Sequence, residues 1–289
     1  MPVMRRALGR FGRVLRRSPL GPPLMSVAMA LRGDQSEWHN RPLSAREIDR
    51  MAEDVSRSIC AALKDTPFLN VDVVRNAAAE FLDILDQCPV EQASGGCGFN
   101  GGVLLFCVAR LLRPQTVIES GLFRGYTTWV LRRALPDARL YCFDITVREL
   151  RYRDPKAIYV ERDWENFSFD GTDLSSCLAF FDDHVSQLLR MEQCIARGIR
   201  YAVFDDCHPA HRMRGDAPAF PTVAMVMDAD RLGPEPARWI TRDRVYEYAP
   251  ETARLIAARD RSIAWPLPDL YGATGYRPAH NTLVEFKVR

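Results

Sequence analysis

The chain has 289 residues, 47% of them hydrophobic and 26% charged, with a formal net charge of +2. That composition excludes global disorder and supplies enough apolar material for a packed core. The charge is too small to point to a nucleic acid partner, and no apolar run approaches the roughly 20 residues that stable membrane insertion requires.

Residues 1–43 are basic and punctuated by proline and glycine, with much of the excess charge in "MRRALGRFGRVLRRSPLGPP". The stretch lacks the apolar region of a secretory signal. It reads as a mobile arm, the alternative being a weak amphipathic helix lying on a membrane surface. Residues 44–114 read as a helical cap. Ser44 stands three residues before Glu47, a capping-box pattern. In "NVDVVRNAAAEFLDILDQC", Val73, Ala77, Phe81 and Leu85 repeat at helical spacing. The glycine-rich "ASGGCGFN" leads into an apolar helix that Pro114 stops. The eight cysteines contain no CxxC pair, and several lie in apolar runs. They read as free thiols of a cytoplasmic protein.

From residue 115 to 289 strand-like and helical runs alternate. The strands are "TVIES", "RLYCFDI", "AIYVER", "LAFFDDH", "YAVFDDC" and "NTLVEFKV"; helices fit "GYTTWVLRRAL", "HVSQLLRMEQCIARG" and "APETARLIAARDR". This alternation predicts an α/β fold, a doubly wound and mostly parallel sheet with helices on both faces. Ligands of such sheets sit beyond the carboxyl ends of the strands. Glu119 ends the first strand, and Gly121 and Gly125 bracket a turn into a helix whose free N–H groups favour an anionic group. Asp144 ends the second strand about 20 residues beyond the glycines, a spacing that suits ribose hydroxyls. After the third strand, Asp163 is placed to accept from an adenine amino group and Trp164 to stack on a base.

The series Glu119-x-Gly121-x-x-x-Gly125, then Asp144, then Asp163-Trp164 resembles the class I S-adenosylmethionine-dependent methyltransferases over most of residues 95–289. With Thr127 and Thr128 it looks most like a subgroup carrying E-x-G-x-x-x-G-x-[ST]-T, which includes sugar and antibiotic O-methyltransferases and cephalosporin-hydroxylase-like proteins. Phe123 stands where the commoner family loop has a further glycine. The resemblance implies a seven-stranded, Rossmann-like sheet. It makes S-adenosylmethionine the cofactor, with Glu119, Gly121, Gly125, Thr127, Asp144, Asp163 and Trp164 binding it. The G-x-G-x-x-G of nicotinamide-binding units does not follow the first strand.

The fourth and fifth strands end in "FFDDH" and "FDDCH". In the family's topology they are neighbours facing the cofactor. Carboxylates there suit Mg²⁺ or another divalent cation that would lower an acceptor hydroxyl's pKa. The resemblance points to Asp182 or Asp183, with Asp205 and Asp206, as its ligands; with Asp183 as the ligand, Asp182, His184 and His208 are the catalytic candidates, either imidazole serving as base. Asp183 as a plain helix N-cap is the competing reading. "HPAHRMRGDAPAFPTVAMVMD" has the length and composition of a substrate lid or of an inserted surface loop. Tyr271, Tyr276 and His280 either line an acceptor pocket or pack the sheet edge. The expected activity is O-methylation of a small molecule, a sugar or secondary metabolite, by a protein able to form a homodimer. Hydroxylase-like chemistry on the same fold, or a binding protein without turnover, are the alternatives.

Overall fold

The computed structural model describes residues 42–90, 96–212, 220–232, 235–241 and 244–287. Residues 1–41 of the basic arm, including its amphipathic alternative, lie outside them, as does the middle of the expected lid, residues 213–219.

The chain enters through three helices, α1 (Ala45–Ala62), α2 (Val71–Ile84) and α3 (Gly98–Leu112). The capping box at Ser44 is formed in both directions, and the Asn70 side chain caps α2. Every residue of α3 from Phe99 to Ala109 is buried, as befits a helix apolar on all sides. Arg113 then turns into the left-handed region ahead of Pro114.

Seven strands build the main sheet: β1 (Thr116–Ser120), β2 (Arg139–Phe143), β3 (Ile158–Val160), β4 (Cys177–Phe181), β5 (Tyr201–Phe204), β8 (Ser262–Pro266) and β9 (Thr282–Phe286). Their spatial order is β3-β2-β1-β4-β5-β9-β8. β1 to β5 pair in parallel, and β9 runs antiparallel to both neighbours. The helices between them are α4 (Tyr126–Ala134), α5 (Gln187–Arg197), α6 (Val223–Met227), α7 (Thr252–Asp260) and α8 (Tyr271–Thr274). β1 and β4 are buried along their whole length; β4 accordingly reads as an unbroken apolar run, whereas β1 also buries Thr116, Glu119 and Ser120. The expected α/β, doubly wound, mostly parallel sheet is therefore present.

Two elements were not expected. β8 is an edge strand ending in Pro266, where a missing N–H is tolerated. A separate hairpin, β6 (Ala237–Thr241) with β7 (Arg244–Tyr248), occupies sequence to which the pattern assigns no element.

Register places the site. Ser120 pairs with Phe143 and with Phe181, and Phe181 pairs with Phe204. The next residues, Gly121, Asp144, Asp182 and Asp205, follow directly at the carboxyl edge. The order of strands reverses between β1 and β4, so the crevice expected of such a sheet opens there.

Candidate functional site

The turn after β1 fits only glycine at its two ends. Gly121 has φ +94°, and a Cβ there would lie 2.2 Å from the Asp182 carbonyl oxygen. Gly125 has φ +86°, and its Cβ would meet the Tyr152 carbonyl oxygen at 2.5 Å. Between them Phe123 adopts φ +44°, a conformation uncommon for a bulky side chain. Asp144 holds the turn: one carboxylate oxygen accepts from the Leu122 and Phe123 N–H groups at 2.8 and 3.3 Å, the other from Thr146 N at 3.1 Å. Asp144 lies at the crevice, and its ties to the turn fix its orientation.

Glu119 and Thr127 do not face the crevice, contrary to expectation. Glu119 is fully buried and accepts hydrogen bonds from Thr127 Oγ1, from Thr128 Oγ1 at 2.7 Å and from Cys142 Sγ at 3.4 Å. The Glu-to-Thr-Thr spacing thus staples the end of β1 to the first turn of α4. Burial pushes the Glu119 carboxyl up to about 7, against the three hydrogen bonds. The folded state then holds this proton where the unfolded state has released it, so Glu119 lowers stability as pH rises from about 4.5 towards 7. Glu119→Gln is expected to flatten the fall in Tm between pH 5 and 8. Melting curves across that range check it, and an unchanged slope refutes it.

Trp164 also leaves its expected role. It is wholly buried, with Phe181 and Phe169 near its ring at 5.7 and 6.4 Å and the Arg197 guanidinium over it at 5.1 Å. No face is open for a base. Phe123, Ile145 and Val185 are the apolar residues that line the crevice, and of these Ile145 stands beside Asp144 and is 82% exposed. Its signal in the sequence is one of position alone, the residue after the acid.

Asp163 lines the crevice as expected, and its carboxylate is gripped by Arg190, which sequence reasoning missed. Both Asp163 oxygens accept from the guanidinium, at 3.0 and 2.6 Å. Arg190 also donates to Asp183 Oδ2 through Nε at 2.9 Å, and Ser120 Oγ donates to the same oxygen at 2.6 Å. Asp183 Oδ1 accepts from Val185 N. Asp183 is therefore held by Arg190, Ser120 and the Val185 N–H, and it does not cap α5. The cap is Ser186, whose side chain accepts from Leu189 N.

The cluster that can hold a cation consists of Asp182, His184 and Asp206, with one ligand atom from each lying within 4.8 Å of the others. His184 and Asp206 both adopt left-handed backbone conformations, φ +57° and +52°. These turn two strand ends towards a common point. Burial raises Asp182 well above the usual carboxylate range, with Asp205 and Asp206 adding repulsion. Asp205 is buried beside the cluster, outside the trio, and is pushed up to about 7 by burial and by Asp206. The His208 imidazole holds Asp206 below its ordinary value. His208 itself is buried, its Nε2 lying 3.6 Å from Asp206 Oδ1 and its ring 4.3 Å from that of His280. It backs Asp206 and does not line the crevice, so it does not stand as the base. Among the other acceptor-side candidates, Tyr276 stacks on Phe99 at 4.2 Å and Tyr271 is exposed.

The crevice encloses about 350 Å³ between Ser120 and Arg190, within the range of small-molecule sites. Among the described residues, helices α1 to α3 contribute none of its walls. Five carboxylates line it (Asp144, Glu149, Asp163, Asp182 and Asp183) against two arginines, Arg162 and Arg190. Strand order, glycine turn and the row of acids define a doubly wound α/β protein with the methyltransferase-type arrangement of strands.

No protein-family model matches the chain, and no curated protein does. Among solved structures it is similar to the O-methyltransferase TomG from Streptomyces achromogenes, involved in tomaymycin synthesis and bound to SAM. Identity is 16% over 81% of this chain and 98% of that one, with a TM-score of 0.38. An O-methyltransferase from Bacillus cereus in complex with SAH is 13% identical over 82% and 100%, TM-score 0.39. A cmcI structure with SAH is 13% identical over 40% of this chain, which spans 64% of that one, TM-score 0.33. Similarity this low carries no functional argument.

Proposed function

We propose that the protein is an S-adenosylmethionine-dependent methyltransferase acting on an oxygen of a small-molecule acceptor, a sugar or secondary metabolite. The observation that carries this reading is the charge of the crevice. Even with Asp182 set aside, four carboxylates against two arginines favour a ligand bearing cationic groups, as a sulfonium and an amino-acid ammonium are, and disfavour a pyrophosphate. The motif resemblance supports the same donor.

In this reading Asp144 accepts from the ribose hydroxyls, with Ile145 as the apolar platform beside the base and Asp163 accepting from its amino group. Gly121 lets the backbone approach the donor, while Glu119 and Thr127 hold the turn from behind. Methyl transfer needs mainly an in-line oxygen and the exclusion of competing orientations. The acceptor hydroxyl is presented from the β4 and β5 side. Its proton passes to His184 or Asp182, both of which line the crevice. Asp182, with its pKa raised, is a better proton acceptor near neutrality than an ordinary carboxylate. Two carboxylates and an imidazole also form a donor set that suits a divalent cation. Asp182, His184 and Asp206 would hold it, and it would supply acidification of the bound hydroxyl.

Calorimetry with S-adenosylmethionine and S-adenosylhomocysteine tests the donor. Saturable one-to-one binding by the folded protein is expected, and its absence would refute the assignment. Among the described residues no helix is long and apolar enough to cross a membrane. A cytoplasmic location and a homodimer are parts of the same proposal, tested by fractionation and by sedimentation.

A further inference from the structure

Arg190 is 1% exposed and carries a full positive charge. A guanidinium has five N–H donors; four make hydrogen bonds, and Nη2 also lies within ion-pair distance of Asp183. Nε and Nη2 meet Asp183 Oδ2 at 2.9 and 2.8 Å. Nη1 meets Asp163 Oδ1 at 3.0 Å and Gln193 Oε1 at 2.9 Å, and Nη2 meets Asp163 Oδ2 at 2.6 Å. Burying such a group is weak evidence for stability, since apolar side chains of the same volume commonly do as well. What a bidentate grip does provide is direction. The two carboxylates come from different walls of the crevice. Asp163 follows β3 and its side chain is 40% exposed. Asp183 follows β4, is 12% exposed, and is tied to β1 through Ser120.

We infer that Arg190 is a positioning residue for the donor. Anchored on Asp183 and Ser120 at the centre of the sheet, it fixes the plane and direction of the Asp163 carboxylate, so that Asp163 meets the base of the donor already oriented. This rests on the methyl-donor reading of the crevice. Asp163 follows a strand of only three residues and sits in a short 3-10 turn, Trp164–Asn166. Little else holds its side chain: among the described residues the Glu165 N–H, two residues on, is its one further hydrogen-bond partner. Without the fork the carboxylate regains its rotamers, and binding must order it.

A thermodynamic cycle on S-adenosylhomocysteine affinity tests this, using wild type, Arg190→Gln, Asp163→Asn and the double variant. Each single variant is expected to weaken binding about tenfold or more, the scale of a charge-assisted hydrogen bond. The double variant is expected to be no weaker than the worse single one, because Arg190 acts through Asp163. Arg190→Lys, which keeps the charge without the fork, should fall between wild type and Arg190→Gln. It also serves in the cycle should Arg190→Gln not fold. Losses that multiply in the double variant, or an Arg190 variant that binds like wild type, overturn the inference while leaving the donor assignment standing. If wild type binds no S-adenosylhomocysteine, the donor assignment fails and this inference with it.

Discussion

Gly121→Ala is expected to abolish S-adenosylhomocysteine binding and to destabilise the protein by several kcal/mol. Two effects add. At φ +94° any Cβ is strained, which costs about 1–2 kcal/mol. The larger effect is collision, because the new methyl would lie 2.2 Å from the Asp182 carbonyl oxygen, 2.5 Å from its carbon and 2.9 Å from Asp183 N. All three are backbone atoms, so no side chain can swing aside. Relief requires the ends of β1 and β4 to separate, and Asp182 N donates to Ser120 O across that gap at 2.9 Å. The carboxyl edge that forms the crevice would therefore open. Gly171→Ala separates the two effects. Gly171 also has a positive φ, +70°, yet a Cβ there meets nothing within 4 Å. It should lose only the strain, about 1 kcal/mol, and keep wild-type affinity. Melting curves and calorimetry on both variants decide the matter. Gly121→Ala binding like wild type would show that the close approach of β1 and β4 does not shape the site.

What could be read in the sequence follows from what each signal depends on. β4 and β5 announced themselves because strands buried on both faces are apolar throughout, β1 and β2 through the shorter apolar runs Val117-Ile118 and Leu140–Phe143, and the helices between them show the 3.6-residue period. Asp144 was legible because a parallel strand puts its last residue at the ligand edge wherever it lies in the sheet. Arg190 was not. It lies within α5 and looks like a solvent-facing arginine in "QLLRMEQ"; only the placement of Asp163 and Asp183 around it makes it buried. The same three-dimensional fact ties Asp183 to Arg190 and Ser120, and Asp182 is the one that joins the cluster able to hold a cation. In "FFDDH" adjacent residues point to opposite sides, so only the turn geometry after β4 decides which carboxylate faces the cluster. Trp164 failed for a related reason. An aromatic after an acid reads equally as a stacking platform or as core, and the ring fell among Phe169, Phe181 and Arg197. The hairpin β6–β7 lacks the two-residue Asn-Gly or Asp-Gly signal by which such turns are recognised.

Asp182→Asn is expected to raise the Tm of the protein in chelator and to remove the rise that Mg²⁺ or Mn²⁺ gives the wild type. In chelator, burial disfavours charge on Asp182 and Asp205, and repulsion among Asp182, Asp205 and Asp206 adds to it. The folded-state pKa values of Asp182 and Asp205 lie above their unfolded values. Both therefore lower stability as pH rises above about 4, and at pH 7.5 the penalty is present. A cation bound only by the folded state offsets it, by about 2.7 kcal/mol at a hundredfold excess over Kd, or roughly 5–10 °C. Asn at 182 removes one of the repelling charges and one ligand together, so the metal-free form gains and the cation effect disappears. Asp206→Asn gives the opposite sign in chelator. His208 already holds Asp206 below its ordinary pKa, so its charge is favourable and its loss lowers Tm, while the cation effect again vanishes. Asp183→Asn distinguishes ligand from scaffold. It breaks the Arg190 and Ser120 contacts and so lowers Tm, yet the cation-dependent rise should survive. Melting curves of the four proteins with EDTA and with each cation give all of these signs at once. A cation-dependent rise that persists in Asp182→Asn but is lost in Asp183→Asn would restore Asp183 as the ligand and refute the cluster as drawn from the structure.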